Sequence, residues 1–168
     1  NVVGTQKDTS VAAVQLAETH EGVWASIGLH PIHTAKSYHD AQELGEGNKE
    51  FTSRGEQFDF EFYKKLGQSP KVIAIGECGL DYYRPKEVND EIKKKQKDVF
   101  ERHVHLAGQT GRPLIIHARP SKGSMDAYHD ALEVLIEAKE VYPNLKGDMH
   151  FFVGGVGEAE AFQDLGFT

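Results

Sequence analysis

The stretch "KVIAIGECGLDYYR", residues 71–84, runs four apolar residues together, Val72 to Ile75, and follows them with two acids, Glu77 and Asp81. An apolar run of this length without polar alternation predicts a strand over 71–77 buried on both faces, as in a parallel sheet covered by helices. Such a strand delivers the Glu77 carboxylate at its carboxyl end. Burying an unpaired carboxylate is costly, so Glu77 requires a cation, a cluster of donors or water beside it.

The flanking sequence repeats the same grammar. "NVVGTQ" (1–6) reads as part of a strand. "TSVAAVQLAETH" (9–20) reads as a helix, with Val11, Val14 and Leu16 at helical spacing and Thr9 or Ser10 as its N-cap. "GVWASIGLHP" (22–31) is a second buried strand stopped by Pro31. Residues 36–56, rich in Gly and charge, predict a long loop or short helical insertion, and a helix near 57–67 ends at Gly67. Residues 88–110 place Val88, Ile92, Val99, Phe100, Leu106 and Ala107 along one helical face, ended by "TGRP". "PLIIHAR" (113–119) is a further strand. "SMDAYHDALEVLIEAKEV" (124–141) is an amphipathic helix with Ala131, Leu132, Leu135 and Ile136 inward. "KGDMHFFVGG" (146–155) is a fifth strand, and "GEAEAFQDLGFT" (157–168) one more helix reaching the start of another strand.

Five strand–helix alternations predict an α/β fold with parallel strands and right-handed crossovers. A closed eight-stranded barrel takes about 250 residues, and this chain has 168. The expectation is one domain over 1–168, either a smaller open sheet or part of a TIM-type barrel with about five strands present.

Composition bounds the function. The single Cys excludes an internal disulfide framework and makes a reducing, cytoplasmic setting the expectation. No apolar stretch approaches the ~20 residues of a membrane span, and no signal-peptide pattern opens the sequence, so no membrane partner is expected. Net charge is −7, the wrong sign for a broad basic surface that grips nucleic acid. A polyanionic ligand would need local cations, as metal ions or well-placed Arg.

In a parallel β/α fold the carboxyl ends of the strands share one side, where ligands bind. Those ends carry His30 in "GLHP", Glu77 in "GECGLD", His117 in "IIHAR" and His150 in "DMHFF". The separations 117 − 77 = 40 and 150 − 117 = 33 are each about one β/α repeat, so the side chains can converge in space. Imidazole with carboxylate suits zinc, manganese or iron, and magnesium where carboxylate and water dominate.

"GLHP", "IGECGLDYYR", "Q…F…H…A…GRPLIIHAR" and "HFFVGG" occur in the order and at the approximate spacing seen in TatD-type metal-dependent deoxyribonucleases, which are TIM-barrel hydrolases of the amidohydrolase type. The resemblance runs over almost the whole chain. It implies a two-metal site, with Mg²⁺, Mn²⁺ or Zn²⁺, that cuts phosphodiester bonds of DNA, commonly from single-stranded 3′ ends. By the same resemblance Glu77 is a catalytic carboxylate bridging two metals, with His117 and His150 as ligands to one of them. His30 is a catalytic, substrate-side His, while Asp81, Tyr82 and Arg119 line the mouth and bind substrate; Arg119 suits a bidentate phosphate contact. The family's opening strand with its H-x-H pair and its closing strands with a catalytic Asp have no counterpart in these 168 residues. The resemblance therefore covers the middle of a barrel. A same-scaffold hydrolase of another ester, such as misacylated tRNA, stays open as an alternative, as does a non-catalytic metal- or partner-binding remnant.

Other motifs are read as structural. "HVH" at 103–105 lies in a helical pattern, where i and i+2 point to different faces. His20, His39 and His129 sit in polar stretches, Cys78 reads as a packing residue, and the Lys64-Lys65 and Lys93–Lys95 runs read as solvated helix faces. "VGGVG" at 153–157 lacks the Lys-Ser/Thr of a phosphate-binding loop. His33 stands open between the rim of the site and a structural position.

Overall fold

The structure is a computed structural model, and it describes residues 1–36, 38–39, 51–85 and 88–168. Its centre is a five-stranded sheet of β1 (Val2–Val3), β2 (Ala25–Ile27), β5 (Val72–Asp81), β6 (Leu114–Arg119) and β7 (Gly147–His150), in that order. All four pairings are parallel, as the apolar strand runs predict, and the sheet is not closed into a barrel. Helix α1 (Lys7–Thr19) joins β1 to β2, α2 (Phe60–Leu66) precedes β5, and α3 (Asp90–Thr110) joins β5 to β6. Helix α4 (Asp126–Val141) joins β6 to β7, and α5 (Val156–Asp164) follows. A separate antiparallel pair, β3 (Tyr38–His39) with β4 (Phe51–Thr52), frames the 36–56 insertion. The reading of that insertion as loop or short helix otherwise falls largely on residues 37 and 40–50, outside the described residues.

Helix ends follow side-chain chemistry. Asp59 caps α2 by accepting from Phe62 N at 3.1 Å, and Asn89 caps α3 by accepting from Ile92 N at 2.9 Å. Gly111 closes α3 in the left-handed region at φ 67°. Helix α1 corrects an expectation: it starts at Lys7 with Gln6 as N-cap. Thr9 lies one turn in, its Oγ1 accepting from Thr5 N and Gln6 N at 2.9 Å each.

The core lies between one face of the sheet and the helices. Along β6, Leu114, Ile116 and Ala118 are buried, while Ile115, His117 and Arg119 alternate with them on the more open face. Phe100, Val104 and Ala107 of α3 and Tyr128, Ala131 and Leu135 of α4 belong to the same apolar cluster. Burying a Phe, Val or Leu side chain contributes roughly 1.5–3 kcal/mol by removing it from water, and an Ala less. Two expectations of burial are corrected by this one-sided packing. Ile73, between buried Val72 and Ala74, faces the open side and is 40% exposed, and Ile136 lies off the buried stripe of α4 at 51%. Past α5, Phe167 makes a parallel bridge to Gly147 and the Met149 amide donates to Thr168 O, so the chain returns to the free edge of β7 as a strand start should.

Strand β5 runs to Asp81, four residues past its predicted end, so Glu77 sits within the strand and not at its tip. Against β6 the register moves from Ile75↔Leu114 to Cys78↔Ile116, which inserts one extra β5 residue beside Glu77. Gly76 and Gly79 permit the close approach. A Cβ there would stand 2.4 Å from Ile115 O and 2.1 Å from His117 O, and both residues have positive φ, 145° and 131°.

Candidate metal centre and its cleft

Three of the four strand-end residues converge. His30 follows β2, Glu77 lies in β5 and His117 in β6, and one ligand atom from each falls within 4.8 Å of the others. Glu77 Oε1 is 3.3 Å from His117 Nδ1 and 3.6 Å from His30 Nε2, and the two imidazole rings stand 4.4 Å apart. They form the floor of a cleft of about 560 Å³ whose walls include Arg84, Arg119, His150 and Phe151.

Hydrogen bonds sort the two histidines. His117 Nε2 lies 3.0 Å from Asp81 Oδ2, and a carboxylate accepts only, so Nε2 carries a proton and Nδ1 turns its lone pair towards Glu77. That places two electron-rich atoms 3.3 Å apart, a separation that calls for a cation between them. A divalent ion bound by nitrogen and oxygen at ~2.0–2.2 Å fits such a pair; without one, a proton serves. Burial opposes charge on His117, but Asp81 and Glu77 outweigh it and hold its pKa above the ordinary value. Burial likewise works against the Glu77 carboxylate, and His117 and His30 hold it well below the usual range. His30 is arranged the other way round. Its Nδ1 accepts from Ile32 N at 3.3 Å, so the neutral ring carries its proton on Nε2, facing Glu77. Burial, partly offset by Glu77, lowers its pKa.

Asp81, expected at the mouth, is fully buried beneath His117. Its Oδ1 accepts from Tyr83 N at 3.1 Å and Arg84 N at 2.9 Å. The Gln96 side chain of α3 accepts from Asp81 N at 2.7 Å and donates to Asp81 O at 3.0 Å, fixing the end of β5. Asp81 therefore orients the His117 ring and does not face the cleft. Tyr82 is also turned away from the mouth: it is buried against α4, its hydroxyl donating to Asp130 Oδ2 at 2.8 Å. The exposed tyrosine is Tyr83, with the Arg119 guanidinium 4.0 Å above its ring. Arg119 lines the cleft.

His150 lines the cleft but stays outside the three-residue cluster and is exposed. It is the register partner of His117, so the two side chains leave the same face of adjacent strands. Phe151 beside it has φ 53° and is 83% exposed. His33 is buried, Nδ1 3.4 Å from Ser53 Oγ, with its ring edge-on to His30. The "HVH" pair divides as the helical phase requires. His103 is buried, accepting from Leu29 N on Nε2 at 2.9 Å and bonding Val99 O through Nδ1 at 2.8 Å, while His105 is exposed beside Gln109. His103 thus ties α3 to the segment that presents His30. Gln96, before Phe100 in the run that leads to "GRPLIIHAR", and Arg84, which ends "IGECGLDYYR", carry no assigned role in the sequence motifs. Gln96 was legible in principle, as a polar residue four before Phe100 on an otherwise apolar stripe.

The family model described as TatD related DNase matches residues 1–168. An uncharacterized metal-dependent hydrolase YabD of Bacillus subtilis (strain 168) is 32% identical over 166 residues, covering 99% of this chain and 53% of its own length. A protein named 3′-5′ ssDNA/RNA exonuclease TatD, of Yersinia pseudotuberculosis serotype O:3 (strain YPIII), is 29% identical over 168 residues, with 99% and 53% covered. The crystal structure of YJJV, a TatD homolog from Escherichia coli K12, superimposes with TM-score 0.69 at 22% identity, covering 99% of this chain and 53% of that one. The chain thus spans about half the length of these relatives.

Proposed function

Because this chain belongs to the TatD related DNase family, we propose that the protein is a divalent-metal-dependent hydrolase that cuts phosphodiester bonds of single-stranded DNA from the 3′ end. The observation that carries the reading is the Glu77–His117 pair, whose 3.3 Å separation and opposed lone pairs fit a shared cation. Two ions, Mg²⁺, Mn²⁺ or Zn²⁺, belong to this reading; Glu77 and His117, with its neighbour His150, are the residues that would hold them. Bound there, divalent ions supply an activated water and neutralise charge on the transferring phosphoryl group.

The chain's own residues do the rest. Asp81 keeps the His117 proton on Nε2, so Nδ1 stays available. His30 presents an Nε2–H to the cleft, where it can donate to a phosphoryl oxygen. Arg119, steadied on Tyr83, offers a forked guanidinium to phosphate. These cations act locally, which reconciles an anionic substrate with a net charge of −7. The single Cys78 is free and buried, in keeping with a cytoplasmic setting, and the chain itself is read as the central part of a barrel domain.

The test is hydrolysis of 5′-labelled single-stranded DNA after chelation and after Mg²⁺ or Mn²⁺ add-back, with wild type and Glu77→Gln side by side. A ladder shortening from the 3′ end, restored by metal and absent in the variant, is expected. Metal-independent cutting, or normal cutting by a folded Glu77→Gln, would overturn the reading.

A further inference from the structure

We propose that Arg84 is a phosphate-binding residue of the cleft, working beside Arg119 to hold successive phosphates of a nucleic-acid strand. This rests on the nuclease reading above and adds a residue that the sequence motifs did not assign.

Arg84 stands three residues beyond the end of β5, in a turn fixed by Asp81. Asp81 Oδ1 accepts the backbone N–H of Tyr83 and of Arg84 at 3.1 and 2.9 Å, so the position of Arg84 is set before any ligand arrives. Its side chain runs along the cleft wall, 21% exposed. The nearest carboxylate oxygen, Asp81 Oδ2, is 3.8 Å from Arg84 Nε. A charge-assisted hydrogen bond is ~2.7–2.9 Å long, and Oδ2 is already engaged by His117 at 3.0 Å. Arg84 Nε is shielded from solvent and has no hydrogen-bond partner among the described residues. Buried donors are hydrogen-bonded in the great majority of structures, and the 3.8 Å ion pair with Asp81 leaves Arg84 Nε without such a bond, so this guanidinium beside a cleft marks a place where an acceptor belongs.

The neighbourhood says which acceptor. Asp81 and Arg119 are register partners at the ends of β5 and β6, so Arg84 and Arg119 rise from adjacent strand ends into one cleft. Two planar forks side by side match the repeating phosphates of a strand, and Arg suits this better than Lys because the fork binds bidentately. Asp81 thus has two tasks: one oxygen sets the turn that carries Arg84, and the other orients His117.

The experiment compares wild type, Arg84→Met and Arg84→Lys in kcat/KM for single-stranded DNA with Mn²⁺ over a series of salt concentrations, alongside Mn²⁺ affinity by calorimetry. Arg84→Met is expected to lose about tenfold in kcat/KM, chiefly through KM. The slope of log(kcat/KM) against log[salt] should become shallower by ~0.7, the increment for one phosphate contact on a single strand. Mn²⁺ affinity should stay at the wild-type value, which a merely structural role would not preserve. Arg84→Lys keeps the charge, so its slope should match wild type while KM rises, and it carries the test if Arg84→Met does not fold. Wild-type KM and slope in both variants would overturn the proposal. A wild type that cuts no strand would overturn the nuclease reading itself, and this inference with it.

Discussion

Asp81 Oδ2 lies 3.0 Å from His117 Nε2, beneath the ring and out of reach of solvent. The carboxylate fixes which ring nitrogen carries hydrogen and which faces Glu77, the arrangement by which a second carboxylate tunes a metal-ligating imidazole. Burial works against the Asp81 carboxylate, yet the His117 bond outweighs it and holds its pKa below the ordinary value.

If the proposed metal site holds, replacing Asp81 with Asn should weaken Mn²⁺ binding while leaving His30, Glu77 and His117 in place. An Asn amide can donate to His117 Nε2, which moves the ring proton to Nδ1 and blocks the face turned towards Glu77. The expected loss in Mn²⁺ affinity is on the order of 10–100-fold, read by calorimetry. Melting the variant in EDTA separates this from unfolding. Wild-type affinity would show that Asp81 does not set the tautomer.

His30, Glu77 and His117 were legible because apolar runs mark the strands and the fold class gathers strand ends on one side. Tyr82 and Tyr83 were not separable, since a continuation of β5 to Asp81 decides which ring enters the core. The glycines at 76 and 79 are what lets β5 approach β6 and continue to Asp81, a role that needs the neighbouring strand to be seen. Ile73 looked buried because burial of the second sheet face depends on what covers it, which lies beyond local pattern. The significance of Arg84 comes from a missing hydrogen bond, which only a three-dimensional neighbourhood reveals.

Tyr82→Phe tests the inward placement of this ring. The hydroxyl donates to Asp130 Oδ2 at 2.8 Å, so its removal should cost about 1 kcal/mol of stability in urea titration. KM for single-stranded DNA should stay at the wild-type value. A raised KM with unchanged stability would return Tyr82 to the substrate side.

His103 makes the fold sensitive to mild acid. Burial pushes its pKa down to about 4 from an ordinary 6.5, and its Nε2 already accepts the Leu29 amide, so the folded state keeps it neutral. Below pH 6.5 the unfolded chain takes up a proton that the folded chain refuses until about pH 4. The contribution is thus complete above pH 6.5 and disappears as pH falls through this window, amounting to about 3 kcal/mol. His103→Gln can still accept from Leu29 but does not titrate. Urea midpoints at pH 7 and pH 4.5 should fall less in the variant than in wild type, and equal falls would contradict this account.

Gly79→Ala should damage fold and site together. The residue has φ 131°, and an added Cβ would meet the carbonyl oxygen of His117, its register partner, at 2.1 Å. Backbone cannot step aside as a flexible side chain can, so β5 would have to move off β6, carrying Glu77 away from His117. A loss of about 2 kcal/mol or more is expected from the strained φ and the clash together, with weaker Mn²⁺ binding in whatever remains folded. Gly157→Ala is the matched control. It lies in the first turn of α5 with nothing within 4 Å of the new Cβ, so its melting temperature should stay at or above the wild-type value. If both variants melted alike, the close approach of β5 to β6 at Gly79 would not be what holds Glu77 against His117.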